Sequence, residues 1–337
     1  MPNTMNISAM ASFNPKEELK PFNFQMEEPI NNEVIIEIDN CGLCYSDIHM
    51  IDNDWRASTY PLVPGHEIIG KIIKTGEVAT KYKLGEVVGV GWQKDSCLRC
   101  KLCSDGFENL CQSGNQGTII GNHGGFATHI KLKDDFVFRI PEKLNSNTAA
   151  PLLCAGTTVY SGLISSGMQA NQKIGIIGLG GLGHLATQYA SKLGNQVTVF
   201  EKNDDKVDLA YDLGADDIVI TNPDVPKGIK PNFDIFINTV DKPIDFNKYI
   251  RLLNPRGTMC FIGDPGKIDI SISSLISSEK RIIGSVISGR NKLEKALEIA
   301  AKYGITPVTE TFKLENVNQA IDRLRNNQVK YRALIKI

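Results

Sequence analysis

The feature that most restricts the fold of this chain is a glycine-rich turn between an apolar run and a helical pattern. KIGIIG (173–178) has strand character, and HLATQYASKLG (184–194) has helix character. The turn between them fits G-x-G-x-x-G in the strand–turn–helix context that binds dinucleotides. Its glycines permit a tight turn, close approach of a pyrophosphate, and packing of helix on strand. The predicted cofactor-binding backbone is Gly178, Gly180, Gly181, Leu182 and Gly183.

Alternating strand and helix patterns continue beyond this turn. Strand-like runs lie at 195–201, 217–220, 233–240 and 258–263, with helical patterns among them. Such alternation predicts a parallel, doubly wound sheet. Before residue 148 the chain instead carries short β-rich runs between Gly, Pro, Asn and Asp, which predicts a mostly antiparallel region with functional loops. A length of 337 residues suits about two domains.

Charge and hydropathy exclude several classes of partner. Lys+Arg is 37 and Asp+Glu is 38, so the net charge is −1. Nucleic acids and anionic membranes are usually met by a basic excess, which this chain lacks. No apolar run approaches the roughly 20 residues of a membrane helix. The start, MPNTMNISAM, does not resemble a signal peptide. We therefore expect a cytoplasmic protein whose eight cysteines are reduced and available for metal or catalysis.

Four cysteines lie close together in the pattern Cys97-x2-Cys100-x2-Cys103-x7-Cys111. Four thiolates on one loop suit a closed, tetrahedral zinc site, in which no position is left for a substrate. An iron–sulfur cluster is the main alternative. The pattern predicts a structural zinc site that orders a loop poor in apolar residues.

Two other cysteines and a histidine stand apart in sequence. Cys44 lies in CGLCYSDIH, His66 in PGHE and Cys154 in PLLCAG. Two Cys and one His form a known catalytic zinc set with an open fourth position, provided that the fold brings them together. Cys154 as a plain core thiol and His66 as a loop histidine are the alternatives that the residues alone leave open.

The acidic end of the second strand bears on the choice of cofactor. Glu201 stands where a carboxylate usually binds the adenosine ribose hydroxyls, which favours NAD and disfavours the extra phosphate of NADP. Lys202 follows directly and Lys206 is near, so a lysine would reach a 2′-phosphate if Glu201 turned away. A solvated charge pair at the strand end is the alternative without a cofactor role. The residues leave NAD and NADP open.

These motifs together resemble the zinc-dependent medium-chain dehydrogenase/reductase superfamily from near residue 5 to the end. The matching segments are CYSDIH, YPLVPGHEIIG, the four-cysteine loop, GGFA, APLLCAGTTVY and GLGGLGH. The chain is most similar to the cinnamyl-alcohol-dehydrogenase-type branch, especially bacterial broad-range aldehyde reductases. The resemblance implies an α/β fold: a Rossmann doubly wound parallel sheet over 148–287, and a GroES-like, mostly antiparallel β catalytic domain over 1–147 and 288–337. The active site is expected in the cleft between them.

The resemblance also implies roles for individual residues. Cys44, His66 and Cys154 would hold the catalytic zinc, and Cys97, Cys100, Cys103 and Cys111 the structural zinc. Glu67 matches an acid that swings onto the catalytic metal. Ser46 matches the hydroxyl beside the substrate oxygen, and His49 the next group of a proton path. Asp47 is expected to orient a ligand or a helix turn, while Cys41 and Cys260 are expected only to pack.

Two residues depart from the family pattern, and two tryptophans have no motif role. Tyr45 stands where histidine is common after the first zinc cysteine, and Glu201 where the NADPH-using branch carries small hydroxyl residues. Trp55 and Trp92 lie in loops near the zinc motifs and are candidates for a substrate-pocket wall. Ordinary packing is their alternative role.

The predicted function is therefore reversible hydride transfer between primary alcohols and aldehydes with two zinc ions per chain and NAD(P)(H). NADP(H) follows from the resemblance, whereas Glu201 favours NAD(H). The family implies a homodimer that pairs through the strand near RIIGSVIS (281–288). A non-catalytic zinc- and dinucleotide-binding redox sensor is the alternative. A nucleic-acid-binding zinc module is disfavoured by the net charge.

Overall fold

The computed structural model describes residues 4–222 and 224–337. The described strands are β1 (Thr4–Ala11), β2 (Lys20–Glu27), β3 (Glu33–Leu43), β4 (Glu67–Thr75), β5 (Val87–Val90), β6 (Gln93–Asp95), β7 (Gln116–Gly117), β8 (His129–Lys133), β9 (Phe138–Arg139), β10 (Lys173–Ile177), β11 (Gln196–Glu201), β12 (Asp217–Ile220), β13 (Phe233–Asn238), β14 (Leu253–Phe261), β15 (Arg281–Gly284), β16 (Thr309–Lys313) and β17 (Arg332–Lys336).

The described α-helices are α1 (Tyr45–Asp52), α2 (Lys101–Ser104), α3 (Ala155–Ser165), α4 (Gly183–Lys192), α5 (Val207–Asp212), α6 (Asn247–Ile250), α7 (Ile272–Ile276), α8 (Arg290–Tyr303) and α9 (Val317–Arg325). Short 3-10 turns lie between them at Glu108–Leu110, Asp134–Phe136, Ala150–Leu153, Asp204–Lys206 and Leu314–Asn316.

The chain divides into two compact units, Met1–Cys154 with Ser288–Ile337, and Ala155–Ile287. The sequence placed the first boundary at 147/148, whereas the first unit continues to residue 154. The difference arises because the 3-10 turn Ala150–Leu153 packs on β3, β4, β5 and β17 of the first unit. Its side chains are completely buried there, so this segment completes the core of the unit that precedes it.

The unit Ala155–Ile287 contains a six-stranded sheet in the order β12-β11-β10-β13-β14-β15. All its neighbouring strands pair in parallel. When the strands are numbered within this unit, the order is 3-2-1-4-5-6. Successive strands are therefore added on one side of β10 up to β12, and on its other side from β13 onward. The prediction of a doubly wound parallel sheet is confirmed. Because ligands of such sheets bind beyond the strand ends at this reversal, the end of β10 is the expected ligand edge.

The unit Met1–Cys154 with Ser288–Ile337 contains a larger sheet in the order β16-β17-β3-β4-β5-β9. Strand β3 is long: its last residues pair with β17, while its first residues pair with β8 along the same side. All of these pairs are antiparallel except β16 with β17. The prediction of a mostly antiparallel β region is confirmed.

The ends of three strands of this sheet meet at one edge, and this edge positions the candidate site. Gly42, near the end of β3, pairs with Glu67 at the start of β4. Its neighbour Leu43 pairs with Ala333, next to Arg332 at the start of β17. Since the strands run antiparallel, segments distant in sequence meet where β3 ends and β4 and β17 begin.

The C-terminal segment forms helices α8 and α9 and strand β17. Helix α8 is amphipathic, and its chain leaves through Gly304 with φ 69°, a left-handed cap that favours glycine. Across 4–222 and 224–337, no helix combines the length and apolar character that crossing a bilayer requires.

Candidate functional site

One group of ligand-type side chains lies at the shared edge of β3, β4 and β17, and we call it the inner cluster: Cys44, His66, Glu67 and Cys154. One potential ligand atom from each lies within 4.8 Å of the others. Cys44 follows β3, Glu67 begins β4, and Cys154 follows the 3-10 turn Ala150–Leu153. The structure therefore brings together the three predicted ligands and the acid beside them.

Asp47 orients the imidazole of this cluster. His66 Nδ1–H donates to Asp47 Oδ1 over 2.9 Å, which leaves Nε2 facing Cys154 Sγ at 3.3 Å. The same carboxylate accepts the backbone N–H groups of Gly65 (2.8 Å) and Cys44 (2.9 Å). Burial disfavours the imidazolium, but the charge of Asp47 outweighs it and raises the pKa of His66. Asp47 thus makes the contact that its expected orienting role requires, and such a partner fixes the tautomer of a metal-binding histidine.

Glu67 faces a charge from the other end of the chain. Burial raises the pKa of its carboxyl group to about 7, against the opposing effect of Arg332, whose Nη2 donates to Glu67 Oε1. The second carboxylate oxygen, Oε2, is buried without a hydrogen-bond partner among the described residues. A Cβ on Gly42 would overlap this carboxylate, so a larger residue there would displace the Glu67 side chain. Sequence reasoning missed Arg332 and Gly42, because neither lies in a ligand motif.

The inner cluster fits a zinc ion by the chemistry of its donor atoms. A hydrogen bond from Cys154 lowers the pKa of the Cys44 thiol well below its ordinary value, against burial and with help from Arg332 and His66. Two sulfurs, one imidazole nitrogen and an unpartnered carboxylate oxygen match the ligand chemistry of catalytic zinc. Three protein ligands leave a fourth position for water or substrate.

Ser46 and His49 lie on α1, directly after Cys44. Cys44 Sγ–H donates to Ser46 Oγ over 3.7 Å, so this hydroxyl borders the inner cluster. His49 Nδ1 lies 2.8 Å from Asp54 Oδ2, and its side chain is partly exposed. The two residues are three positions apart and share one face of the helix. One predicted proton-path group therefore lies beside the cluster and the other lies nearer to solvent.

A chain of aromatic rings leads outward from the inner cluster. The ring of Trp92 meets that of His66 edge to face, with centroids 4.9 Å apart. Trp55 contacts Trp92 at 5.8 Å and His49 at 5.0 Å, and His49 contacts Tyr45 at 5.2 Å. Trp55 remains 45% exposed. Trp92 therefore lies between the buried ring of His66 and the half-exposed ring of Trp55, and packs against the hydrophobic core of the unit.

The second group, which we call the loop cluster, consists of Cys97, Cys100, Cys103 and Cys111. Its Sγ–Sγ distances are 3.5 Å for Cys100–Cys103, and 3.9 Å for both Cys97–Cys103 and Cys100–Cys111. A tetrahedral zinc with bonds of about 2.3 Å places its sulfurs about 3.8 Å apart. The loop cluster therefore fits a mononuclear zinc and disfavours an iron–sulfur cluster. Cys41 and Cys260 are buried and lie outside both clusters.

The glycine loop lies at the end of β10, at the reversal point of the parallel sheet. Gly178 has φ 87°, which favours glycine, and a Cβ on Gly183 would overlap the Gly178 carbonyl oxygen. Helix α4 begins at Gly183, and its N-cap residue, Leu182, makes no side-chain capping bond. Gly180 has open space where a Cβ would stand. The loop and helix start therefore present backbone amides in the arrangement that receives phosphates.

Glu201 lies at the end of β11, beside this loop, and is buried. Its Oε2 accepts the backbone N–H of Leu179 at 2.7 Å and the ammonium of Lys206 at 3.0 Å. Its Oε1 accepts the backbone N–H of Lys202 at 2.7 Å. Burial pushes the pKa of Glu201 upward, but Lys206 and the Leu179 amide outweigh it and hold that pKa below its ordinary value.

Known proteins match this chain along nearly its whole length. Residues 30–142 match the alcohol dehydrogenase GroES-like domain, and residues 181–302 match the zinc-binding dehydrogenase domain. Aldehyde reductase AdhA of Synechocystis sp. is 34% identical, and the match covers 98% of both chains.

The chain belongs to the zinc-binding alcohol dehydrogenase family.

Solved structures of this family have the same fold. A cinnamyl alcohol dehydrogenase from Sorghum bicolor gives a TM-score of 0.93 at 33% identity, covering 98% of both chains. The cinnamyl alcohol dehydrogenase of Helicobacter pylori, solved in complex with NADP(H), gives 0.90 at 29% identity, covering 99% of both. The predicted class, a zinc-dependent oxidoreductase between alcohols and aldehydes, is confirmed by this membership. The alternative of a non-catalytic sensor gains no support from these relatives.

Proposed function

We propose that this zinc-binding alcohol dehydrogenase is an aldehyde reductase with a catalytic zinc in the inner cluster, a structural zinc in the loop cluster, and NADP(H) on the glycine loop. The inner cluster carries the proposal, since two thiols and an oriented imidazole converge beside an unpartnered carboxylate oxygen. Such a donor set suits zinc, which binds sulfur and nitrogen ligands in a tetrahedral arrangement and can keep one coordination position open for water or substrate.

Each side chain around the inner cluster has a defined task in this proposal. When bound, zinc supplies Lewis acidity toward the carbonyl oxygen, and the nicotinamide supplies the hydride. Cys44, His66 and Cys154 hold the metal. Ser46 would pass a proton to the product oxygen and regain one through a relay of cofactor ribose hydroxyls and His49, which exchanges protons with solvent.

Several observations support NADP(H) as the favoured cofactor. The relative from Helicobacter pylori was solved with NADP(H). Glu201 is paired with Lys206 and bonded to backbone amides, so its charge is largely neutralised beside the position of a ribose. Lys202, and Lys206 once Glu201 turns away from it, would supply cations for a 2′-phosphate at the end of β11.

Trp55 and Trp92 are proposed to form one wall of the substrate pocket. Their rings meet at 5.8 Å and lead to His66, so a flat apolar substrate group would contact both. Aromatic pairs of this kind gain about 0.5–1.5 kcal/mol beyond the burial of area. This wall favours aromatic aldehydes over short aliphatic ones, in line with relatives named cinnamyl alcohol dehydrogenases.

The proposal is tested by initial rates of aldehyde reduction on enzyme of measured zinc content. We expect two zinc ions per chain, oxidation of NADPH in preference to NADH, and a higher kcat/KM for benzaldehyde than for butanal. The wall should contribute at least fivefold to this ratio, since about 1 kcal/mol corresponds to a factor of five. Trp92→Ala should reduce the ratio while leaving the zinc content unchanged.

A matched control is Trp55→Phe, which retains an aromatic ring in the wall. Failure of the enzyme to oxidise either cofactor with either aldehyde would contradict the proposed activity. Preference for NADH would overturn only the cofactor assignment. A benzaldehyde-to-butanal ratio that Trp92→Ala leaves unchanged would remove the tryptophans from the pocket.

A homodimer is proposed through the outer edge of the parallel sheet. Within residues 4–222 and 224–337, strand β15 pairs only with β14, and Ile276 and Ile272 close to it in sequence are 74% and 60% exposed. An edge strand with apolar neighbours is a template for pairing with another copy.

Light scattering should give twice the 37.0 kDa chain mass, and Ile276→Asp should shift this mass toward that of the monomer. Val78→Asp, at an apolar residue 60% exposed in the other unit, is the matched control. A monomer mass for the wild type would contradict the pairing.

A further inference from the structure

Helix α1 carries both proposed proton-path side chains, and it is too short to hold them in place by itself. The helix spans Tyr45–Asp52, which is eight residues. Isolated helices shorter than about 12–15 residues are marginal in water, so the order of α1 must come mainly from contacts at its two ends. Ser46 lies in the first turn and His49 in the second. The two side chains therefore depend on different ends of the helix.

The first turn of α1 is fixed through Asp47. Its carboxylate accepts the backbone N–H groups of Cys44 and Gly65, and it also holds the ring of His66. All of these contacts lie at the inner cluster. Ser46 is therefore held together with the metal ligands, independently of the other end of the helix.

The second turn is held by an ion pair with the C-terminal helix α9. Arg325 Nη1 and Nη2 donate to Asp52 Oδ2 and Oδ1 at 2.5 and 2.6 Å. Two parallel bonds of this kind, which we call the Asp52–Arg325 fork, fix direction as well as distance. Asp52 is the last residue of α1, and its side chain is only 11% exposed. A carboxylate at the C-terminal end of a helix opposes the helix dipole, so the final turn needs this guanidinium as a counter-charge.

His49 lies one turn before the fork, on the same face of α1. Its carbonyl oxygen accepts the backbone N–H of Asp54 at 3.0 Å, and its ring Nδ1 lies 2.8 Å from Asp54 Oδ2. Both contacts join His49 to the segment that leaves the helix directly after Asp52. Fraying of the final turn would therefore move His49 relative to Ser46, while the first turn and the metal ligands kept their places.

We propose that Arg325 is a positioning residue for proton transfer, which acts through Asp52 to hold His49 in the orientation that the relay from Ser46 requires. Arg325 neither donates nor accepts the transferred proton. The inference rests on the proposed function, in which His49 exchanges protons with solvent. It adds to the reaction a cation that lies 273 positions after its partner on α1.

The test compares Arg325→Met with the wild type in aldehyde reduction at saturating cofactor, on enzyme of measured zinc content. The methionine keeps an apolar stem but loses the fork. We expect kcat to fall about tenfold, which is part of the roughly 10²–10⁴ that a well-placed proton-transfer group contributes. The zinc content and the Kd for NADPH should stay unchanged. Raising the HEPES concentration at constant ionic strength should restore kcat in the variant only, because a diffusible proton donor replaces the misplaced one.

A double variant separates positioning from a general loss of stability. Because Arg325 acts through His49, Arg325→Met should cause no further loss of kcat in a His49→Gln background, whereas independent effects would multiply. Arg325→Lys keeps the charge without the fork geometry, so its kcat should lie between those of Arg325→Met and the wild type. This variant also serves if Arg325→Met fails to fold. Reversal of the pair, Asp52→Arg with Arg325→Asp, should recover most of the kcat that either single reversal loses.

The matched control is Arg323→Met. Arg323 also lies on α9, but it pairs with Glu310 of β16 at 2.8 Å. This variant therefore removes an ion pair from the same helix that holds β16 instead of α1. Its kcat should equal that of the wild type, and HEPES should not change it.

Distinct results would overturn the inference. An unchanged kcat in Arg325→Met, or a loss that HEPES does not restore and that persists in the His49→Gln background, would reduce the fork to a structural contact. A His49→Gln variant with the kcat of the wild type would instead contradict the proposed proton path. A wild-type enzyme that reduces no aldehyde would contradict the proposed function itself.

Discussion

Replacing Cys154 with serine is expected to lower kcat/KM for aldehyde reduction by roughly a thousandfold or more, since Lewis-acid activation contributes several kcal/mol to the barrier. The chain should also lose one of its two proposed zinc ions. Cys154 Sγ lies 3.3 Å from His66 Nε2, so its loss removes a sulfur from the centre of the inner cluster. Zinc content by plasma emission and initial rates with NADPH measure both effects on the same preparation.

Cys41→Ala is the matched control for that experiment. Cys41 is also a buried thiol of the first compact unit, but it lies in β3, outside both clusters. This variant should keep its zinc content and its rate, with at most a modest loss of stability from the small cavity. Near wild-type activity in Cys154→Ser at one zinc per chain would show that the reaction does not use the inner cluster.

Replacing Cys103 with alanine is expected to have the largest effect on stability, lowering the free energy of unfolding by about 4 kcal/mol or more. The segment around the loop cluster contains one four-residue helix, α2, and one short 3-10 turn, Glu108–Leu110. With so little regular structure, a metal would supply most of its order. Thermal unfolding followed by circular dichroism, together with the zinc content, measures the loss.

The loss of stability should extend beyond this segment, because Glu108 lies in it and binds the first residue of α8. Glu108 Oε1 accepts Arg290 Nε at 3.0 Å, and Oε2 accepts the Arg290 backbone N–H at 3.2 Å at the start of α8. The matched control is Lys101→Ala, which removes an exposed ion pair with Asp105 on the same loop and should change stability by less than about 0.5 kcal/mol. An unchanged unfolding temperature and zinc content in Cys103→Ala would contradict a metal at the loop cluster.

The two clusters differ in how far the sequence alone can predict them. The four cysteines of the loop cluster lie within one short segment, so their spacing already indicates one site. The inner cluster joins residues 44, 66 and 154 through the pairing of β3 with β4 and the packing of the 3-10 turn Ala150–Leu153 on both. Spacing carries no information about such contacts, and only the family resemblance brought these residues together beforehand.

Arg332 and Gly42 show where sequence reasoning had no signal. Arg332 lies in a short strand with no motif, and its partner Glu67 is distant in sequence. Gly42 is one of many glycines, and its importance comes from the carboxylate that occupies the space of its missing side chain. Both facts depend on which strands become neighbours.

Glu201 was located correctly by its position after the glycine turn, but its bonding was not foreseeable. The pattern identifies the end of the second strand, where a carboxylate usually faces a ribose. The amide of Leu179 and the ammonium of Lys206 come within bonding distance only through the local path of the loop and the turn that follows β11. The spacing of residues in the sequence does not indicate which backbone N–H groups will bind a side chain.

The positions of their ligands along the chain give the two proposed metal sites different places in the order of biosynthesis. All ligands of the loop cluster have emerged from the ribosome once residue 111 is clear of the exit tunnel. The inner cluster must wait for Cys154, and the carboxylate of Glu67 gains its counter-charge only when β17 joins β3. In a nascent chain the loop cluster is therefore able to bind its proposed metal long before the inner cluster is complete.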